Sequence, residues 1–510
     1  MSDIPAERGQ PRTVDEQDEN RLAQFGYKQE LRRDWGLAHN FGVSFSIISV
    51  ITGLTTLFSY GGGPYFWAAL LAPARWSPFA AWVTGWFNLL GQVAVTTGIS
   101  FGCAGLIATI ATVKNPDYVP TPAKTIGIYA AVLVSHGLIN TFGVHVLRYL
   151  NNSSIILHSA GITALCVAIL AKAPTHQPAK FVFGTFHDGT GADGSDGWSI
   201  RASPAYVVMC GALMSQYTLT GFDASAHLSE ETKKASWSAP IGVVSSVGFS
   251  ALFGFFVLMA MLFSIQNFEG TLNSTYQQPV LQILVDVFGE DGALALFTLI
   301  IVCTWHCGLF SLTSNSRMMF AFARDGGIHP FFHKVDARFR SPIRAVWLGA
   351  TLSFILALPS LGSSVAFAAA TSIATIGLYI SYGLPILIGM IWHKSFVNMK
   401  GPFNLRMLSR PIAAAACTWI ALIVVVFCLP AQNPVTDQTL NYTVVAVGII
   451  AVGSVGTWVV WAHKWFTGPA AEVMEAMRAG IDASEPGALE RKEDEARTAG
   501  REKTVLSDSQ

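Results

Sequence analysis

The chain has 510 residues, 51% of them apolar and only 13% charged, and its 32 basic residues balance its 32 acidic ones. The charges avoid a series of long apolar runs, which excludes a soluble globular protein and describes an all-α polytopic membrane protein. Zero net charge carries no nucleic-acid signal, and no Gly-Lys dipeptide occurs, so a phosphate-cradling loop with its lysine is excluded and ATP-driven transport with it.

Residues 1–34 are polar and precede the first apolar run without the pattern of a cleavable signal, so a cytoplasmic N-terminal tail is expected. About 20 apolar residues make one helical crossing. Eleven candidate spans follow, near residues 39–60, 78–112, 125–144, 153–172, 204–227, 239–264, 292–313, 343–361, 364–391, 411–430 and 442–462. Together they make residues 35–462 a transmembrane domain, and the highly charged stretch 463–510 reads as a second cytoplasmic tail.

Basic loops stay on the cytoplasmic side. Residues 314–344 hold Arg317, Arg324, Lys334, Arg338, Arg340 and Arg344 against Asp325 and Asp336, and residues 392–410 hold four basic residues and no acid, so both face inward. Residues 265–291 carry Glu269, Asp286, Glu290 and Asp291 with no Lys or Arg and face outward. Counting spans backwards from these loops puts Arg75 inside. Counting forwards from Lys28, Arg32 and Arg33 puts the head inside too, yet a single crossing separates the two. Either the head lies outside, or residues 39–72 re-enter, or a span is absent; the run from Gly61 to Pro64 into YFWAALLAPARW favours the third, with the aromatic piece read as interfacial.

All seven cysteines fall in apolar runs, where a disulfide framework is not expected, and Cys303 and Cys307 read as packing residues rather than a metal pair. Neither His136 and His145 nor any HExxH pattern supplies catalytic or zinc spacing, so no enzyme, metal or cofactor is expected. Two places combine membrane depth with backbone-breaking residues. One is Ile51, Thr52, Gly53 and Leu54 in the first run; the other is Tyr217, Thr218, Thr220, Gly221 and Phe222, followed by Asp223. Unwinding at both would turn helix termini and peptide groups toward a small charged solute. Small residues also serve close helix packing, and Asp223 could instead lie near the inner headgroups. His158, one to two turns after Asn151-Asn152-Ser153-Ser154, is a second intramembrane ionisable group, either a proton exchanger or a histidine satisfied by a carbonyl.

The stretch YTLTGFDASAHLSEETKK (217–234), with WVTGWFNLLGQ (82–92) and SRMMFAFARDGGIHP (316–330), resembles the amino acid/polyamine/organocation (APC) superfamily permeases, and within it the fungal amino acid/choline branch of GABA and choline permeases. The likeness covers residues 30–465. It implies twelve spans, the first ten forming two inverted five-helix repeats with broken first and sixth helices. It also implies substrate-binding roles for Ile51–Leu54 and Thr218–Phe222, with proton-coupling roles for Asp223 and His158. Against that pattern Tyr60-Gly61 runs directly into Gly62-Gly63-Pro64-Tyr65-Phe66-Trp67, as though the second helix were missing, so 11 spans stand where 12 are expected.

The resemblance implies a secondary transporter of an amino acid or related small amine, proton-coupled and working by alternating access, in the plasma membrane or alternatively the vacuole or another organelle. The other class of reading is a non-transporting product or a sensing membrane binder, its discriminating feature being the Gly61–Gly63 joint. A channel is weaker: Thr375-Ile376-Gly377-Leu378-Tyr379 lacks the contiguous pattern of a potassium filter.

Overall fold

The computed structural model describes residues 39, 41, 43–44, 63–115, 117–192, 194–228, 235–363, 366–392 and 405–469. The half-site Ile51–Leu54, the acidic pair Glu230 and Glu231, the tail 1–34 and all but the start of the tail 463–510 lie outside them. Among the described residues nine helices are long and apolar enough to cross a membrane. The candidate at 204–227 is the exception, because it breaks, and the one at 39–60 is described only at scattered positions.

A short helix, α1 (Pro64–Leu71), opens the continuous part of the structure. Pro64 sits in its first turn, where the missing N–H costs nothing. The aromatics of α1 suggest the headgroup zone, but all eight of its residues are buried. Tyr65, Phe66 and Trp67 pack inside the protein, and Tyr65 donates to Asp325 at 2.8 Å, so α1 is a plug at the inner end rather than an interfacial strip.

Helix α2 (Ser77–Lys114) is the central post. It carries polar residues at every fourth position, Thr84, Asn88, Gln92, Thr96 and Ser100, and all are buried. Four residues turn a helix by about 40° beyond a full circle, so this ladder winds round α2 and meets a different neighbour at each rung. At its outer end Lys114 pairs with Glu290 and Asp291, each at 3.0 Å.

The chain continues through α3 (Pro122–Phe142), α4 (Val144–Ile156), a π turn (Leu157–Gly161), α5 (Ile162–Lys172) and the short α6 (Ala179–Gly184). Next come the broken pair α7 (Pro204–Thr218) and α8 (Ala224–His227), then α9 (Ala235–Phe263) and the short α10 (Phe268–Leu272). Helix α11 (Pro279–Arg324) bends at Gly289, whose φ of 69° leaves the helical region. It runs further inward than the 292–313 span expected, so Arg317 is not in a loop: it is buried in the last turns of α11. Arg324 ends α11, Arg344 lies in the first turn of the next long helix, and Lys334, Arg338 and Arg340 lie between the two.

Helices α12 (Ile343–Ala357), α13 (Ala366–Ile391), α14 (Ser409–Val426) and α15 (Thr443–Val460) complete the bundle. Residues 375–379 are helical and buried within α13, so they form no ion filter. The backbones of α2 and α13 meet at two glycines: a Cβ on Gly377 would stand 2.9 Å from the Gly91 amide nitrogen. Only side-chain-free positions permit that approach. It brings Asn88 and Gln92 beside Ser381 and Tyr382. All seven cysteines are free thiols.

Candidate functional site

The 204–227 segment cannot remain one helix. After Thr218 the Leu219 and Thr220 amides turn back to Ser215 and Tyr217, and Gly221 takes a φ of 90°, a conformation that side chains disfavour. Helix then resumes for only four residues at Ala224. The break delivers Asp223 into the protein interior, where it is fully buried.

Every oxygen of that carboxylate is engaged. Oδ2 accepts from Asn88 Nδ2 at 3.0 Å and Gln92 Nε2 at 2.9 Å on α2, and stands 2.9 Å from His227 Nε2 one turn along its own helix. Oδ1 accepts from the Tyr382 hydroxyl of α13 at 2.7 Å. A buried carboxylate is tolerated when donors replace its water, and these come from three separate helices. The Phe222 ring lies against the Tyr382 ring, centroids 4.4 Å apart and planes tilted by 37°. From the first apolar run Ser44 donates to the Phe222 carbonyl at 3.2 Å and touches the Ser225 hydroxyl. Gly63, just before α1, lies directly against this cluster: a Cβ there would overlap the His227 ring.

The other expected site residues are placed as follows. The Tyr217 hydroxyl abuts Gly98 of α2 beside Thr371 of α13 and makes no hydrogen bond among the described residues. Thr218 is exposed and donates to Met214 O at 2.6 Å; Thr220 is buried and donates to Tyr217 O at 2.7 Å, so both hydroxyls are held by their own backbone. His158 sits in the π turn, with Nδ1 2.9 Å from Ser154 O, and shares no described contact with Asp223. The residues missed were Asn88, Gln92, His227 and Tyr382. The fourfold spacing of polar residues in WVTGWFNLLGQVAVTTGIS was the available signal for the first two.

On the outer side a cavity of about 370 Å³ lies between the broken helix and α13, within the range of small-molecule pockets. Val207, Cys210 and Leu213 of α7, Ala368 and Ser372 of α13, and Gln432 line it. Tyr217, seven residues beyond Cys210, continues that face of α7 inward. A clasp between two loops roofs the cavity: Asn433 exchanges backbone hydrogen bonds with Thr190 and Ala192 and donates its amide to Asp196 O at 2.7 Å. Asp188 organises the first loop by accepting from Ser199 N at 2.7 Å and Thr190 N at 3.0 Å.

A polytopic helical membrane protein with a broken helix, an enclosed acid at the break and an outer cavity has the parts of a permease, and the model of the "Amino acid permease" family matches residues 35–452. The chain belongs to the amino acid permease family. Its similar relatives include the amino-acid permease BAT1 homolog of Oryza sativa subsp. japonica, 38% identical over 88% of this chain and 95% of that one. Amino-acid permease BAT1 of Arabidopsis thaliana is 37% identical over 89% and 96%, and amino-acid permease 2 of Neurospora crassa 28% identical over 85% and 78%. The two plant relatives are more similar than this fungal one, so the likeness does not single out the fungal GABA and choline branch. The family is one of transporters, not enzymes, and the chain is a multi-pass membrane protein. The rice alignment runs over 502 positions but uses 88% of this chain's 510 residues. Roughly 50 of its positions therefore fall opposite gaps in this chain.

Proposed function

We propose that this permease is a proton-coupled secondary transporter of an amino acid or a related small amine, GABA and choline included, working by alternating access at the plasma membrane. The observation that carries the reading is the buried, fully hydrogen-bonded Asp223 at a glycine break, with a cavity on one side of it and Gly63 against its His227 partner on the other. Solute enters the cavity, passes Tyr217 and settles at the break. There Phe222 and Tyr217 offer aromatic surface and the peptide groups from Thr218 to Gly221 offer polar contacts, while Ile51–Leu54 supply the opposing half-site for a carboxylate. A proton arriving on Asp223 converts one acceptor oxygen into a donor facing donors. The cluster then has a reason to part, separating α8 from α2 and α13 and opening the inner end, with His158 as a second proton-linked group.

The second reading, a non-transporting or sensing binder, draws on the roughly 50 unmatched positions and the length of one crossing, together with the direct run through Gly61–Gly63. Uptake of labelled amino acids, GABA, choline and polyamines by transport-deficient cells decides between them. The chain is compared with a version carrying an added crossing at that joint. Uptake by the present chain supports transport; none by either form sinks it. Uptake only by the restored form assigns the present chain to the second reading.

A further inference from the structure

A second intramembrane site stands apart from Asp223. His306 lies on the inner leg of α11 and is 5% exposed. Its Nδ1 is 2.8 Å from Val302 O, and its Nε2 is 3.1 Å from the hydroxyl of Ser153 on α4. Ser153 in turn donates to Leu150 O at 2.8 Å. The donors can be assigned in two ways. As an imidazolium, His306 donates from both nitrogens, and Ser153 accepts from it while donating to Leu150. As a neutral ring protonated at Nδ1, it accepts the Ser153 proton at Nε2, and Leu150 O keeps only its helical environment. Each state satisfies both ring nitrogens, and a hydroxyl rotation connects them.

The neighbouring histidine is different. His136 of α3 is fully buried and neither ring nitrogen makes a hydrogen bond of acceptable geometry, although the Trp305 backbone is near. Its ring and the His306 ring flank the Trp305 ring, each at 5.2 Å. His136 lacks the bonded partners that would support two states. Among the described residues, His136 from α3 and His158 from the π turn lie close enough to His306 to act on it electrostatically, and Cys303 and Cys307 are on its own helix. Among the described residues none of its hydrogen-bond partners is an Asp, Glu, Lys or Arg.

We infer that His306 and Ser153 form a proton-holding pair in the transport cycle, with Ser153 as a positioning residue that links α11 to the turn carrying His158. The link is direct in the chain, since the Leu157 amide that begins the π turn bonds to the Ser153 and Ser154 carbonyls. π turns within helices cluster at functional positions, and an ionisable group at membrane depth is costly to retain without a role. The inference rests on the proton-coupled transport reading above.

The test uses the full chain in proteoliposomes with a labelled mixture of the protein amino acids, GABA and choline. Exchange at equal pH and accumulation under an inward proton gradient are measured for the parent, H306Q, S153A and S153T. The expected result is at least about a tenfold loss of gradient-driven accumulation in H306Q, with exchange reduced less than about threefold. S153A should follow in the same direction and S153T should restore the parent's behaviour. Accumulation unchanged in H306Q overturns the pair, as does a parallel fall of exchange and accumulation, which marks a packing role. Failure of the parent to exchange overturns the transport reading and this inference together.

Discussion

Tyr382 holds Asp223 by two routes: its hydroxyl stands 2.7 Å from one carboxylate oxygen, and its ring lies against Phe222, the residue before that acid, at 4.4 Å. Removing the hydroxyl should therefore weaken the hub without dismantling it. Y382F keeps the stacking, and a hydrogen bond to a charged group contributes about 1.5–3 kcal/mol. Uptake should fall while the fold survives, and thermal melting of the purified protein should drop by a few degrees. A melt unchanged from the parent would show that the bond contributes nothing.

D223N should be more severe, because the amide loses the negative charge that draws these donors together, and its nitrogen, turned toward Asn88 and Gln92, would face two amide donors. Each buried donor left unpaired costs about 1–3 kcal/mol. Uptake should be lost beyond detection, and the double variant D223N/Y382F should be less destabilised than the sum of the single ones, since the pair shares a contact. Simple additivity would contradict the hub.

The fit of Tyr217 against Gly98 makes a rescue experiment available. A Cβ at position 98 would overlap the Tyr217 hydroxyl and stand 3.4 Å from Thr371 Cγ2, so G98A should displace Tyr217 and raise the KM of uptake. Among the described residues that hydroxyl has no hydrogen-bond partner, so Y217F should itself be mild and should restore G98A toward the parent. No rescue would place the effect of G98A elsewhere.

Much of this arrangement was legible beforehand. Apolar runs of membrane length located the spans, because lipid forces backbone bonds inside each segment. Gly221 beside an acid marked the break, since that glycine is needed for a φ of 90°. The cage around Asp223 was not legible. Asn88 lies 135 residues away and Tyr382 lies 159 away, and nothing local links them to an aspartate. Hydropathy averages over a window, so it passed across the polar ladder of α2. The aromatics of α1 misled for a related reason: Trp and Tyr suit headgroups and buried contacts alike, and composition does not distinguish them.

Outside the membrane, hydrogen bonds from Ser199 and then Thr190 hold the Asp188 carboxyl below the usual carboxylate range. A folded-state value that is depressed means the contribution is present above the ordinary range, near pH 4, and is lost only as pH falls below it. The clasp between loops 185–203 and 427–442 should therefore resist chymotrypsin equally at pH 7 and pH 5. D188N should open it at both. Loosening of the parent loop between pH 7 and 5 would contradict this assignment.

At the inner end, Gly63 is in ordinary extended backbone, so an added methyl acts only through its overlap with the His227 ring. G63A should push His227 from Asp223 and speed hydrogen exchange of residues 224–228 without slowing membrane insertion. Unchanged exchange there would show that α1 does not brace the hub.

The most direct measurement of the central claim is counterflow of labelled amino acids into proteoliposomes preloaded with unlabelled ones, comparing the parent chain with D223N at equal protein content. An Asp223-centred permease predicts a transient accumulation in the parent and none in D223N. Equal counterflow in both would contradict the claim.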